Sequence, residues 1–145
     1  MSNDTNYKIR IRGDVAVLDS VLKYLHIKHQ RWEKWQSRNS KLTGAKRKAA
    51  FDKAMKADGA AKVADFVSWG FCVEKVVKKT KKEAEALLTS WANENSLGNV
   101  WISGAEGELA CLLKKYPDIK IAAKFDDDYG RGKCIGPAFQ KDYGW

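Results

Sequence analysis

The hydrophobic period of the chain changes within the stretch Tyr7-Lys8-Ile9-Arg10-Ile11-Arg12-Gly13-Asp14-Val15. Apolar and basic residues alternate up to Arg12, which is typical of a strand with one face in water. Gly13 then predicts a turn, and Asp14 is placed to cap a helix that begins at Val15. The stretch therefore predicts a strand that leads directly into a helix.

The helix is expected to run to Arg38, because its apolar residues fall on one stripe at helical spacing. That stripe contains Leu18, Val21, Leu22, Leu25, His29 and Trp32. The opposite side of the helix gathers Lys23, Arg31, Lys34 and Arg38. Trp32 is accordingly predicted to lie in the core. Trp35, at the border between the two sides, is predicted to be exposed.

After a loop at residues 39–44, a second helix is expected at residues 45–57 and ends at Asp58-Gly59. Its dry side carries Phe51, Ala54 and Met55, and its cationic side carries Lys46, Lys53 and Lys56. Alternation over residues 67–73 predicts a strand that extends as far as residue 77. The capping-box pattern Thr80-Lys81-Lys82-Glu83 then predicts a helix with the apolar residues Ala84, Leu87, Leu88 and Trp91, stopped at Gly98.

The last third of the chain predicts a strand, a helix and a hairpin. A short strand is expected at residues 99–102, followed by a helix that carries Leu109, Leu112 and Leu113 and is closed by Pro117. Residues 119–125 alternate as a strand, residues 126–132 form a polar turn, and residues 133–135 return as the hairpin partner. This order favours an α+β fold, with a small antiparallel or mixed sheet backed by helices.

Length and composition set the domain count and the compartment. The 145 residues, 44% of them apolar, suffice for one core, so a single domain at 1–145 is expected, with a basic helical pair inserted at about 23–58. No apolar run approaches a membrane span, and the polar start is unlike a secretory signal, so a cytoplasmic protein is expected. Cys72, Cys111 and Cys134 are widely spaced in apolar surroundings, which favours buried thiols in a reducing compartment.

One segment holds the whole formal charge of +9. Only Glu33 and Asp52 are acidic between residues 23 and 56, while the rest of the chain is balanced. The basic residues there are Lys23, Lys28, Arg31, Lys34, Arg38, Lys41, Lys46, Arg47, Lys48, Lys53 and Lys56. A like-charge block repels itself, so an anionic partner is the economical explanation. Phosphate backbone is the commonest such partner, and Trp35 adds a flat face on which a base can stack.

Several patterns that suggest chemistry lack the residues needed to complete it. His26 and His29 lie three residues apart, but only Glu33 joins them at a helical interval. Pro117-Asp118 begins like a nuclease signature, but no acidic residue followed two positions later by a lysine comes after it. The acidic turn at 126–130 resembles the start of a calcium-binding loop, but Pro137 stands where such a loop needs a bidentate Glu. The Gly-x-x-Gly at 104–107 contains an acid that would repel phosphate. The sequence therefore predicts no enzyme, no metal and no cofactor.

Two parts of the chain look familiar. Lys8-Ile9-Arg10-Ile11-Arg12-Gly13 and the helix after it resemble the start of the YubB-like ferredoxin-fold proteins of phages and plasmids. The run from Leu109 to Ile119, followed by Phe125-Asp126-Asp127-Asp128-Tyr129-Gly130, resembles the end of that family. The resemblance covers residues 7–25 and 99–136 and implies a ferredoxin-like sandwich of mobile-element origin. It carries over no catalytic residue, and the basic block departs from the family's usual pattern.

The sequence thus predicts a non-catalytic nucleic-acid-binding protein, an accessory factor or repressor of a phage or mobile element, with DNA favoured over RNA. The residues expected to bind are Lys28, Arg31, Lys34, Trp35, Arg38, Lys41, Lys46, Arg47, Lys48, Lys53 and Lys56. The alternative is a counter-defence or regulatory protein that uses the same surface to bind a host protein or sequester an anionic nucleotide. The sequence leaves the oligomeric state open.

Overall fold

The fold is described from a computed structural model that covers residues 4–68, 70–93, 107–127 and 130–135. It is α+β, as predicted. The strands are β1 (Asp4–Asp14), β2 (Cys72–Lys78), β3 (Glu83–Asn93), β4 (Lys120–Asp127) and β5 (Gly130–Ile135). The helices are α1 (Val15–Arg38), α2 (Gly44–Asp58), α3 (Val63–Phe66) and α4 (Glu108–Lys115).

The first strand is the centre of the sheet. The strand order is β2-β3-β1-β4-β5, and every neighbouring pair is antiparallel. The alternation predicted from the sequence is confirmed, because Tyr7, Ile9 and Ile11 are buried while Lys8 is exposed. Pairing on both edges satisfies the backbone of β1.

Helix α1 begins where the sequence predicts. The Asp14 carboxylate accepts a hydrogen bond from the backbone N–H of Ala16 at 2.9 Å, which is an N-cap interaction. Leu18, Val21 and Leu25 then pack on the buried face of the sheet, and Leu109 and Leu112 of α4 join the same core. Both helices therefore cover one face of the sheet.

The helix predicted after Thr80 is wrong, because residues 83–93 form β3. Ala84, Ala86, Leu88 and Ser90 are buried at a spacing of two residues. The Thr80 hydroxyl accepts hydrogen bonds from the N–H groups of Lys82 and Glu83, as the capping-box pattern requires. Those bonds close a β2–β3 hairpin instead, in which the N–H of Lys79 donates to the Glu83 carbonyl at 2.8 Å.

The physical reason is that strand pairing stabilises this segment more than its local preference for a helix does. An alanine- and glutamate-rich segment gains only a few tenths of a kcal/mol per residue as a helix. As β3 it pairs with β1 along eleven register positions on one edge and with β2 on the other. Tertiary pairing therefore decides the structure of this segment.

The strand predicted from residue 67 begins later, at Cys72. The short helix α3 (Val63–Phe66) directly precedes this segment, and Val67, the first residue of the predicted strand, is buried beside Phe66. Gly70 has a φ of 84°, which bends the chain before β2 begins. Trp69 lies outside the described residues, as does the strand predicted at 99–102.

Other predicted elements are confirmed. Helix α2 ends at Asp58, and Gly59 takes the left-handed conformation at its C-cap. Helix α4 and strand β4 lie near the predicted places. The returning strand β5 is present but begins at Gly130, so strand pairing occupies most of the turn predicted at residues 126–132. Among the described residues, no helix has the length and apolarity needed to cross a bilayer.

Strand β2 forms one edge of the sheet and is exposed along its whole length. Val73, Val76 and Val77 are 44%, 50% and 37% exposed. The register with β3 shifts between Val73 and Lys75, which marks a bulge. The edge therefore combines apolar side chains with an irregular backbone.

We expect Ala86→Glu and Leu87→Gln to differ sharply in stability. Ala86 faces the core and is fully buried, whereas Leu87 points to the other face of the sheet and is partly exposed. Burying a charge at residue 86 should cost about 3 kcal/mol or more, and Leu87→Gln should cost about 1–2 kcal/mol. Chemical denaturation followed by tryptophan fluorescence measures both. The reverse order of stabilities would mean that the segment is helical.

Candidate nucleic-acid interface

Helix α1 contributes to two separate cores. Its first half packs on the sheet, and its second half packs Trp32 against Phe66 and Val67. At 1.5 Å per residue, the 24 residues of α1 span about 36 Å, long enough to serve both. The second core lies where the basic segment of the sequence folds.

Four aromatic side chains form this second core, and we call them the aromatic cluster: Trp32, Trp35, Phe51 and Phe66. The two indoles stack with centroids 5.4 Å apart and planes 5° apart. Phe51 and Phe66 meet both indoles edge-on, at centroid distances between 5.6 and 6.3 Å. Trp32 is buried as predicted. The prediction that Trp35 is exposed is wrong, because its stack on Trp32 leaves it half-buried.

Arg31 fastens α1 to α2 and α3. Its Nη1 donates to both carboxylate oxygens of Asp58 at 2.8 Å, and its Nη2 donates to the backbone carbonyl of Asp65 at 2.9 Å. The guanidinium also lies 4.9 Å from the centroid of the Phe66 ring. Arg31, which the sequence places among the residues expected to bind a ligand, therefore forms contacts within the protein. Its Nη1 and Nη2 donors link the three helices, while its buried Nε has no hydrogen-bond partner among the described residues.

Lys28 is not on the surface at all. It is 3% exposed, and its ammonium lies 3.2 Å from a carboxylate oxygen of Glu108, which is fully buried. The ammonium also donates to the backbone carbonyl of Ala64. The expectation that Lys28 binds a ligand is thus wrong. It lies three residues after Leu25 and four before Trp32, which places it on the apolar stripe of α1.

Arg47 and Lys48, near the start of α2, each contact a partner within the protein. Arg47 donates to the carbonyl of Asn39 at 3.1 Å, and its guanidinium lies 5.0 Å from the centroid of the Trp35 ring. Lys48 is exposed and forms an ion pair with Asp52 at 2.8 Å. A pair this exposed contributes little to stability. Arg47 keeps its full charge, because a carbonyl does not neutralise it.

The remaining basic residues of the predicted site are exposed, and within the described parts of the chain no carboxylate forms an ion pair with them. We call them the cationic surface: Lys34, Arg38, Lys41, Lys46, Lys53 and Lys56. They lie on the second half of α1, the following loop and α2. The structure thus separates the sequence-predicted site into buried, bridging and solvent-facing cations.

A groove of about 530 Å³ runs between α1 and α2. Lys34 and Arg38 line it together with Trp35, while the Arg31–Asp58 ion pair lies within it. Its walls therefore carry two free positive charges and one neutralised pair. The groove presents a positive potential to solvent.

A second, more apolar pocket of about 410 Å³ lies beside the start of α2. Trp32, Trp35 and Phe51 line it, together with Val63 and Val67. Arg47 and the Lys48–Asp52 pair complete the lining. Aromatic surface and positive charge thus meet in one concave site, which we call the aromatic pocket.

The two histidines lie in different surroundings. His29 Nε2 lies 2.7 Å from a carboxylate oxygen of Glu33, and a side chain at Gly70 would approach the His29 ring to 2.8 Å. His26 is exposed. In the described part of the chain, no group of three or more His, Cys, Asp or Glu is placed to hold a metal ion.

The cysteines depart from the prediction of buried thiols. Cys72 is exposed on β2, and Cys111 is half-buried on α4. Burial raises the pKa of the Cys111 thiol to about 11, and the neighbouring Asp65 carboxylate adds to the shift. The side chain of Cys134 lies outside the described residues.

Sequence reasoning missed several residues that build the site. Asp58 was interpreted as a helix stop, and Phe66 was not singled out. Glu108 gave no signal as the partner of Lys28, because the two are 80 residues apart. Phe51 was recognised on the dry side of its helix, and that apolar stripe is the signal that leads to the aromatic cluster.

The comparisons with known proteins were negative. No family model, no curated protein and no solved structure matches the chain. The resemblance to YubB-like proteins stays a prediction. The charges and cavities of this chain are therefore the features from which its function is inferred.

We expect Glu108→Gln to destabilise the protein by about 3–5 kcal/mol, because it leaves the Lys28 ammonium buried without a counter-charge. Lys28→Met should have a similar cost. The double substitution Lys28→Met/Glu108→Leu should cost less than the sum of the single changes. Urea denaturation measures all three. Asp52→Asn, which breaks the exposed pair with Lys48, is the control and should cost under about 1 kcal/mol.

We also expect Cys72 to react with iodoacetamide much faster than Cys111. With its pKa raised to about 11, the Cys111 thiol is ionised to the order of one part in a thousand at pH 8, and its reactivity rises as the pH approaches 11. Peptide mass mapping at pH 8 should show at least about tenfold faster labelling at Cys72. The two rates should converge in urea. Equal rates in the folded protein would contradict the burial of Cys111.

Proposed function

We propose that this protein binds nucleic acid through the cationic surface and catalyses no reaction. Its role would be that of a DNA-binding accessory factor or repressor of a phage or mobile element. The observation that carries the proposal is the set of exposed cations without described carboxylate partners on α1, α2 and the loop between them. Clusters of lysine and arginine on adjacent helices are the electrostatic footprint of phosphate binding.

The dimensions of the cationic surface support a polymer rather than a single ion. Lys46, Lys53 and Lys56 recur at intervals of seven and three residues and share one side of α2. At 1.5 Å per residue they extend over about 15 Å. A nucleic-acid strand advances about 3.4 Å per phosphate along the helix axis, so this length matches roughly four phosphates. With Lys34 and Arg38 of the groove, five cations of these two helices are available, enough for about five phosphate contacts.

The folding energetics point in the same direction. Helix α2 contains no fully buried residue, yet it brings several like charges together. Their mutual repulsion destabilises the protein in the absence of a partner, and a bound polyanion would relieve it. If this surface contacted only solvent, the repulsion among its lysines would lower the stability of the protein with no compensating interaction.

We further propose that the core architecture is ferredoxin-like. The support is the order β1-α1-β2-β3-α4-β4 along the chain, combined with the spatial order β2-β3-β1-β4. In this proposal α2 and α3 are inserted between α1 and β2, and β5 is added beside β4. The cationic surface then belongs largely to the insertion and to the end of α1, which is where the chain departs from the family it resembles.

The proposal predicts a steep dependence of binding on salt. Four to six phosphate contacts give a slope of log affinity against log salt of roughly −4 to −5 for duplex DNA, because each contact contributes about 0.9. Fluorescence anisotropy with a labelled 30-base-pair duplex and a 30-nucleotide single strand, at 50 to 200 mM salt, measures it. RNA of equal length tests the preference for DNA. Affinity that stays flat over this range would contradict the proposal.

A matched pair of charge-reversal variants locates the surface. Lys46→Glu/Lys53→Glu/Lys56→Glu should reduce the salt slope by about 3 and weaken binding strongly. Lys79→Glu/Lys81→Glu/Lys114→Glu changes the net charge equally at exposed positions elsewhere and should have a much smaller effect. Equal losses would rule out a defined surface. Capture of a host protein that survives nuclease, with no binding to any oligonucleotide, would favour the alternative of a protein partner.

A further inference from the structure

The aromatic pocket differs from the groove in what it offers a ligand. Its walls come from Trp32, Trp35 and Phe51, and two valines extend the apolar lining. One of them, Val63, is exposed although it belongs to the short helix beside the cluster. Its volume of about 410 Å³ falls in the range of small-molecule sites and exceeds what a single aromatic ring needs.

The charged groups of the pocket are unevenly neutralised. Lys48 and Asp52 form an ion pair with each other, so together they add little net charge. Arg47 has a carbonyl and an indole ring as its partners, and both leave the positive charge intact. These two contacts also hold the guanidinium in place over Trp35. One fixed cation therefore stands at an apolar, aromatic site.

An unstacked nucleobase with its adjoining phosphate matches this combination. A base needs flat, polarisable surface. Because Trp32 and Arg47 already lie against the Trp35 ring, that surface is supplied here by the Phe51 ring and the Arg47 guanidinium, which both line the pocket. The phosphate attached to the same nucleotide needs a cation within a few ångströms of that surface, and Arg47 stands there. A base in an intact duplex is stacked on both sides and cannot enter. The occupant is therefore a single-stranded or locally opened segment.

We propose that the aromatic pocket takes one unpaired base of a single-stranded segment while the cationic surface holds the flanking phosphates. This inference rests on the proposed nucleic-acid binding and names the form of nucleic acid that the site accepts. Trp35 lines both the aromatic pocket and the groove that carries Lys34 and Arg38, so the pocket adjoins the cationic surface. Stacking on aromatic faces is tolerant of sequence, and the pocket therefore selects strand state over base identity.

The test compares two oligomers that differ only in their bases. The probes are a 15-nucleotide oligothymidylate and a 15-unit abasic deoxyribose phosphate oligomer, which carry the same charge, compared with each other at several salt concentrations between about 50 and 200 mM. Stacking of one base should make the oligothymidylate bind roughly 5- to 150-fold more tightly. Equal affinities would overturn the base pocket, with no variant required. If both oligomers bind equally with a steep salt slope, the proposed nucleic-acid binding survives, and if neither the oligomers nor duplex DNA binds, it fails as well.

Two variants locate the base. Phe51→Leu removes an aromatic wall at similar volume and should bring the preference for the base-bearing oligomer below about twofold, with affinity for the abasic oligomer unchanged. Met55→Leu, on the same helix and packed on the cluster outside the pocket lining, is the control and should keep the preference. Arg47→Lys keeps the charge but loses the planar contact with Trp35, and it should also reduce the preference. A preference that persists in both Phe51→Leu and Arg47→Lys would place the base elsewhere and overturn the proposal.

Discussion

The buried ion pair between Lys28 and Glu108 fixes three helices at one point. It joins α1 to α4, and the additional bond from the Lys28 ammonium to the Ala64 carbonyl holds α3. Because an unpaired charge in this position is very costly, each helix must sit where the pair can form. Helix α3 then presents Phe66 to the aromatic cluster. The position of α2, and with it the cationic surface, depends on this pair although the pair itself never meets solvent.

Helix α2 is held by few contacts and repelled by many charges. It contains no fully buried residue, and its attachments include the edge-on contacts of Phe51, the packing of Met55 on the aromatic cluster and the bond between Asp58 and Arg31. Elements with little buried surface open first in a folded protein. A polyanion that binds the closed arrangement would raise the stability of α2 by mass action. If the protein binds a polyanion as proposed, binding and local ordering would thus be coupled through the same lysines.

Much of the fold could be predicted from short stretches of sequence, and the rest depends on contacts between residues that are far apart in the chain. Asp14 could be identified as a cap because an N-cap needs only the next few residues. Thr80 and Glu83 were misjudged because the same hydroxyl bonds serve a helix start and a hairpin turn, and only β1, 70 residues away, decides between them. For the site, the charge of the segment was correctly located, but the partner that buries Lys28 left no trace in its own neighbourhood. Composition gives the number of cations, and packing gives their accessibility.

The bulge in β2 has a consequence for the behaviour of the protein in concentrated solution. An exposed edge with three valines is a template for pairing between molecules, and the shifted backbone together with Lys75 and Lys78 opposes that pairing. The lysine contribution is electrostatic, and at 1 M salt the screening length falls to about 3 Å. High salt therefore weakens the electrostatic protection of this edge. Preparations held at high ionic strength are the ones in which this strand is most prone to self-association.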